Sequence, residues 1–357
     1  MPTVFDAMSL LRSFPRQSLL APFTVFSVAL AAAPAMAQPK SVEDFYRGQT
    51  VRIIVASGPS GGFDTFARLL ARHLGRFVPG NPTFVVQNMP GAGGLRAAGF
   101  IAKVAPRDGL TIGAVQGGMV KAPLLGLTGA DYDSTTLRWI GNLNSEVHVC
   151  VAWHTSPVKT IKDATEKELI VGASAGADSE LAPHTFNSLL GTRFKVIPGY
   201  QDGPRILLAM QRLEVHGRCG WSWSSVVVQH PEWIKEKTIS VLVQWPTRHA
   251  ALPDLPLAQE IANNDDDRRA IEFLFGHLVM SRSYVLPPDV PAERLAALRN
   301  GFDVMVKDEA VRADFVKHKH ELAPTSGAGI QALVDRIYGT PRPIIDKALK
   351  AIAAAKR

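Results

Sequence analysis

The sequence predicts an α/β protein, with mostly parallel sheets and helices packed on their faces. Three observations predict it. Short apolar runs alternate with stretches of helical periodicity. Small or glycine-rich loops join each run to the next helical stretch. The pattern occurs once before residue 116 and again after residue 146, as βαβ units do.

In the first block, Val51–Ala56 is a continuous apolar run, the signature of a strand buried on both faces. Ser57–Gly62 is a loop, and Phe66, Leu69, Leu70, Leu74 and Phe77 follow at helical spacing. Pro79-Gly80 stops that helix. Thr83–Gln87 reads as the second strand and Asn88–Gly94 as the second loop. A helix then runs to about Val104, and Leu110–Val115 is the third strand.

The middle block repeats the rhythm. Strands are expected at Glu146–Trp153, Leu169–Gly172, Arg193–Ile197, Val215–Gly220 and Ile239–Gln244, with a helix from about Ser179 to Leu190. Pro204 opens the helix after Tyr200–Gly203, where its missing N–H is no loss. The last third predicts a strand at Tyr284–Leu286 and helices at Pro291–Val306 and Ile330–Lys350. The run Asn263–Asp267 reads as a solvated loop.

Composition excludes several classes. Of 357 residues, 46% are hydrophobic and 20% charged, an ordinary globular balance long enough for two domains. The net charge of +7 favours an anionic partner. No Lys/Arg stripe with interleaved aromatics marks nucleic-acid binding. Arg12 and Arg16 precede the apolar run Leu19–Ala33, and Ala35-Met36-Ala37 fits a cleavage site. Residues 1–37 are therefore expected to be a cleaved leader, with Gln38 first in the mature chain. The run is short for a bilayer span, and no lipobox cysteine follows it. Export makes a disulfide between Cys150 and Cys219 possible, but spacing alone cannot bring the sulfurs together, and two buried free thiols are the simpler expectation.

Four small-residue loops, at Gly58–Gly62, Asn88–Gly94, Ala173–Asp178 and Tyr200–Gly203, each follow a strand and precede a helix. Glycine there also serves turn geometry alone. Split between two blocks, the loops point to a ligand cleft at the carboxyl ends of the strands. Helix N-termini in such a cleft suit a carboxylate or phosphate. Neither G-x-G-x-x-G nor a nucleotide P-loop is present, because Arg96 stands at the third glycine position of Gly91–Arg96. His318-Lys319-His320 has no third metal ligand nearby in sequence, so no metal or cofactor is expected. Gly172–Gly176 does match G-x-S-x-G, which would make Ser174 a nucleophile with Asp254 and His277 as available partners. A small-residue ligand loop is the simpler account.

At these loops the chain resembles the periplasmic solute receptors of tripartite tricarboxylate transporters, the Bug family. The matching pieces are Val51–Val55 with Gly61–Asp64 and Ala67-Arg68, Val85–Gly94, and Ala105–Gly109. Gly172–Ser174, Tyr200 and Ala251–Pro256 follow in the family's order. The resemblance spans the mature chain. It implies a periplasmic-binding-protein-like fold of type II (Venus flytrap), with two α/β domains around a hinge. Residues 38–147 and 248–357 would form one domain and 148–247 the other. It implies a non-enzymatic, monomeric receptor that hands a small organic anion, a carboxylate, to membrane permease subunits.

By position, the resemblance assigns ligand contacts to Ser60, Gly61, Gly62 and Asp64, and to Pro90, Gly91, Ala92 and Gly93. The opposite domain would add Ser174, Gly176, Ser179, Tyr200 and Asp202, with Gln116 and Trp221 completing the set. The chain departs from the family pattern at Ser60, Met89, Leu95-Arg96, His216 and Trp221-Ser222-Trp223. The tryptophans could stack on a ligand or fill the core. Two other functions stay open: a sensor presenting its ligand to a membrane kinase, and the serine hydrolase.

Overall fold

The structure is a computed structural model that describes residues 41–59, 62–174 and 177–353. The expected leader, its cleavage site, and Ser60, Gly61 and Gly176 lie outside the described residues. No helix among the described residues is long and apolar enough to cross a membrane.

Eleven strands are described: β1 (Thr50–Val55), β2 (Thr83–Asn88), β3 (Thr111–Val115), β4 (Arg138–Asn142), β5 (His148–Trp153), β6 (Leu169–Gly172), β7 (Phe194–Ile197), β8 (Gly217–Ser222), β9 (Ile239–Trp245), β10 (Ser283–Leu286) and β11 (Thr325–Ser326). They form two sheets. The first has the order β11-β4-β10-β3-β1-β2, and the second β7-β6-β8-β5-β9. β1 runs parallel to β2 and β3, whereas β10 is antiparallel to β3 and β4. β6 runs parallel to β7 and β8, whereas β5 is antiparallel to β8 and β9. The first sheet draws its strands from both sides of the stretch that builds the second. The chain therefore passes between the sheets at residues 143–147 and again at 246–282.

The strands at the centre of the first sheet are buried on both faces. Every residue of β3 is buried, as is every residue of β10. The helix Gly62–His73 packs on β1 and β2, Leu95–Lys103 on β3, and Gly327–Tyr338 on β4. On the second sheet, Asp178–Leu190 packs against β8 and Gly203–Gln211 against β6 and β8. Trp139, Trp245, Phe186 and Phe275 are among the largest fully buried side chains.

Several elements differ from expectation. The Ile330–Lys350 helix is two helices, Gly327–Tyr338 and Arg342–Ala353, divided at Gly339–Pro341. Proline lacks the N–H that continuation requires. The Asn263–Asp267 run is not a solvated loop. Asn264 caps the helix Asp265–Phe275 by accepting from the Asp267 N–H at 2.9 Å. Its acidic first turn suits the positive end of the helix dipole. Asp267 is buried and meets Lys347 Nζ at 2.6 Å, tying this helix to Arg342–Ala353.

The cysteines are also corrected: Cys150 and Cys219 form a disulfide, 69 residues apart in sequence. β5 and β8 are antiparallel neighbours, and the ladder shifts register between Val149 and Val151. That pairing brings the two Cα atoms to 3.9 Å. Closing a loop of 69 residues in the unfolded chain is worth about 4 kcal/mol in the chain-entropy account. Cys150→Ala/Cys219→Ala should lower the unfolding free energy by about 2–4 kcal/mol in urea titrations. The denatured, unreduced protein should show no reactive thiol; a full two-thiol titre would refute the bond.

Candidate functional site

A cavity of about 450 Å³ opens where the carboxyl ends of the parallel strands of both sheets face one another. That volume is in the range of small-molecule sites. The first sheet contributes Phe63, from the start of the helix after β1, and Gln116–Gly118, which follow β3. The second contributes Ala177 and Asp178 at the start of Asp178–Leu190, and Ser222 and Ser225 at the end of β8 and just beyond. Glu146, His148, His277, Leu278, Ser281 and Arg282 come from the chain passages between the sheets and their edges.

Its floor is charged. Arg282 holds its guanidinium 4.3 Å above the Phe63 ring and 5.2 Å from the Phe66 ring. Its Nη1 donates to Ser281 O at 2.9 Å, and its Nε is buried with no protein hydrogen-bond partner. Glu146 lies 3.6 Å from Nη2, but its other oxygen accepts from Ser222 Oγ at 2.6 Å. Burial lowers the Arg282 pKa, and Glu146 opposes that shift. The guanidinium stays charged at neutral pH.

On the second sheet's side, Asp178 Oδ2 lies 3.2 Å from His148 Nδ1. Burial pushes the Asp178 carboxyl up. The close pairing with His148 outweighs that, with help from His277 and Lys121, and holds it well below the usual carboxylate range. Lys121 is itself buried, and burial pulls its pKa down to about 8. Its Nζ donates to Leu274 O and stands 3.0 Å from His277 Nδ1. Burial first, and then Lys121, drive the His277 pKa down to about 3, so this imidazole is neutral.

Backbone geometry fixes the Asp178 wall. Gly220 has φ +65, and a Cβ there would fall 2.5 Å from the Asp178 carbonyl carbon. Only glycine lets β8 pass so close to the start of the Asp178 helix. Inside that turn, the Ser174 N–H donates to Ser179 Oγ at 3.0 Å.

Residues 67–274 match the family described as the tripartite tricarboxylate transporter family receptor. The chain belongs to this family. The receptor is 25% identical to a UPF0065 protein of Bordetella bronchiseptica over 91% of this chain and 90% of that one. The structure is similar to a TctC solute-binding protein from Polaromonas, with TM-score 0.67 and 18% identity over 85% of this chain and 99% of that one. It is also similar to MatC of Rhodopseudomonas palustris, a structure with bound malate, at TM-score 0.56 and 20% identity over 84% and 99% of the two chains. The two structural likenesses establish the fold, the periplasmic-binding-protein arrangement of two mixed α/β sheets.

The receptor's expected site residues fall in different places. Gln116 lines the cavity. Gly62 borders it, since a Cβ there would lie 3.3 Å from Arg282 Nη2. Ser174 and Ser179 brace the turn behind Asp178. Pro90, Gly91, Ala92 and Gly93 form an exposed loop outside the cavity wall. The loop holds φ +133, +47, +61 and +96 from Gly91 through Gly94, and a Cβ at Gly94 would meet Gln116 at 3.5 Å. A Cβ at Gly93 meets nothing within 4 Å, so bulk there would act through backbone strain.

Asp64 instead pairs with Arg68 at 2.8 Å and accepts from Asn88 Nδ2 at 2.8 Å, bordering a separate hollow. Tyr200 covers the end of β6, 3.2 Å from where a Gly172 Cβ would sit. Asp202 is exposed and caps the helix Gly203–Gln211 by accepting from Arg205 N. Trp221 is buried against Trp233 at 6.2 Å and beneath Arg218, in the core and not on the cavity wall. Sequence reading did not single out Glu146, His148, Asp178, Arg282 or the structural partner Lys121. The one available signal was an uninterrupted apolar strand that opens on a histidine, His148.

Asp178 supplies a sign-determined pH test. Its folded pKa is depressed, so its stability contribution is present above the unfolded value near 3.9 and lost as pH falls through the folded value. Asp178→Asn should cost about 1–2 kcal/mol at pH 7, a gap that closes between pH 4 and 2 in denaturant titrations. A gap constant across that window would show that the carboxylate's charge contributes nothing.

Proposed function

We propose that the receptor captures a small carboxylate in this cavity and passes it to the permease subunits of a tripartite tricarboxylate-type transporter. It does so as a monomer in the periplasm, after removal of residues 1–37. Residues 38–147 and 248–357 act as one lobe and 148–247 as the other. One observation carries the reading: the Arg282 guanidinium, set in the cavity wall over Phe63 with Nε unpartnered by protein. A desolvated guanidinium with donors to spare suits a carboxylate. Glu146 does not quench it, because Ser222 and Ser224 share that carboxylate. The malate held by MatC is of the same chemical class.

The hydrolase alternative is disfavoured by His277. A triad histidine turns Nδ1 toward a carboxylate and accepts a proton. Here Nδ1 faces the Lys121 ammonium, and the imidazole pKa is driven down to about 3. Such a ring is a poor general base at neutral pH.

Calorimetry with di- and tricarboxylates should detect binding without added metal. Arg282→Met keeps the stem over Phe63 and removes the donors. It should weaken the tightest acid about 10–100-fold, the effect of one charge-assisted pair. Unchanged affinity in a folded Arg282→Met protein would remove Arg282 from the site. Amino-terminal sequencing of the periplasmic fraction should begin at Gln38.

A further inference from the structure

We infer that His277 is a ligand-binding residue that presents Nε2–H to an acceptor oxygen of the bound solute, and that Lys121 positions it by fixing the tautomer. This rests on the reading of the cavity as the solute site.

The geometry around Nδ1 decides the tautomer. Lys121 Nζ stands 3.0 Å from His277 Nδ1 and also donates to Leu274 O. An ammonium has three donors and no lone pair. Beside it, Nδ1 must accept. A neutral imidazole then carries its proton on Nε2. Leu274 O also lies 3.0 Å from Nδ1. That carbonyl could accept from an Nδ1–H, but the proton would then face the Lys121 ammonium 3.0 Å from the same nitrogen, whereas a lone pair on Nδ1 accepts from it.

The other edge of the ring faces the cavity. His277 and Gly118 both line it, and a Cβ at Gly118 would lie 3.7 Å from the ring's Cδ2 and 3.9 Å from Nε2. With Arg282, the ring adds a second donor on the same wall. Lys121 itself is buried. It acts on the solute through the ring and through its charge.

Several charged groups surround the pair. Asp178, at the start of its helix, favours the Lys121 ammonium, and His148 of β5 pairs with that Asp178. Arg282 and Glu146 lie on the cavity floor. Burial opposes the Lys121 charge, so the ammonium titrates near pH 8. Its charged form favours an anionic solute. Affinity should therefore hold below pH 8 and fall about tenfold as pH rises from 7 to 9.5. In Lys121→Met that dependence should be absent.

A purely structural Lys121, capping the carboxyl end of the helix Asp265–Phe275 through Leu274 O, would change stability and leave the ring indifferent. Long-range ¹H–¹⁵N correlation spectra of the ¹⁵N-histidine-labelled wild type test this without any solute. The Nε2–H tautomer is expected for His277. The Nδ1–H tautomer would overturn the proposal. Binding is then measured with malate, succinate, adipate and citrate. Lys121→Met should weaken the tightest of these about tenfold and His277→Leu about 10–100-fold. The double variant should lose less than the two single losses combined, because part of the Lys121 effect acts through the ring. His277→Gln, which can offer a side-chain N–H near the same place, should recover most of the affinity. Wild type binding none of the four would remove the carboxylate reading and this inference with it. Wild type binding with unaltered affinity in folded His277→Leu would remove this inference alone.

Discussion

Two passages of chain between the sheets are hydrogen-bonded to each other, and the cavity hangs on that junction. Asn142, fully buried at the end of β4, accepts from the Arg282 N–H at 2.8 Å and donates to Val279 O at 3.0 Å and Asn144 O at 2.8 Å. Around it, Leu143 N donates to Arg282 O and Glu146 N to Leu278 O, both at 3.0 Å. Ser145 Oγ adds a bond to Val279 O. A buried backbone group left without a partner costs about 1–3 kcal/mol, so each contact defends the others. Glu146 lies in one passage and His148 just beyond it, and His277, Ser281 and Arg282 lie along the other. Fixing the junction fixes the cavity floor.

The floor's charges are arranged so that the cations are only partly answered. Lys121 is buried and Arg282 half-buried, and burial depresses both pKa values. Each has an acid nearby. Glu146, however, is shared with two serine hydroxyls, and Asp178 is held by His148. Breaking a pair in such a place would strand a desolvated charge. A solute carboxylate would complete the set. The local arrangement of these four groups, and not the +7 total, sets the charge of the cavity floor.

How much of this was legible depended on sequence distance. β1, β3 and β6 announced themselves because parallel, buried strands are continuous apolar runs closed by glycine, and edge strand β2 did so by its short apolar run between Pro82 and the glycine loop. β4 did not. Arg138-Trp139-Ile140-Gly141-Asn142 offers no such run, and its Gly141 is present because a Cβ would fall 2.3 Å from the Phe302 ring. The glycine loops were found, yet among the described residues only Gln116 of the expected contacts lies on the cavity wall, with Gly62 at its edge. The charged floor was missed because its pairings are non-local. Lys121 meets His277 across 156 residues, and Arg282 N meets Asn142 across 140. Nothing periodic marks residues 276–282. The disulfide was missed for the same reason: β5 and β8 are neighbours in the sheet, although β6 and β7 lie between them in the chain.

The tryptophan-rich departure from the family pattern then finds a structural account. Four successive residues of β8 each anchor to a different element. Cys219 is bonded to Cys150 of β5, and Gly220 lies against the start of the Asp178 helix. Trp221 packs into the core beside Trp233, and Ser222 donates to Glu146. Alternation along a strand sends neighbouring side chains to opposite faces, so one short run can grip both sides of the sheet. The consequence reaches the site directly. Asp178, His148 and Ser222 are carried by three separate segments, and β8, which carries Ser222, is the piece that meets the other two. The large ring at Trp221 therefore serves the cavity from behind, by holding the strand that sets the distance between its walls, while Ser222 and the groups that strand aligns face the cavity.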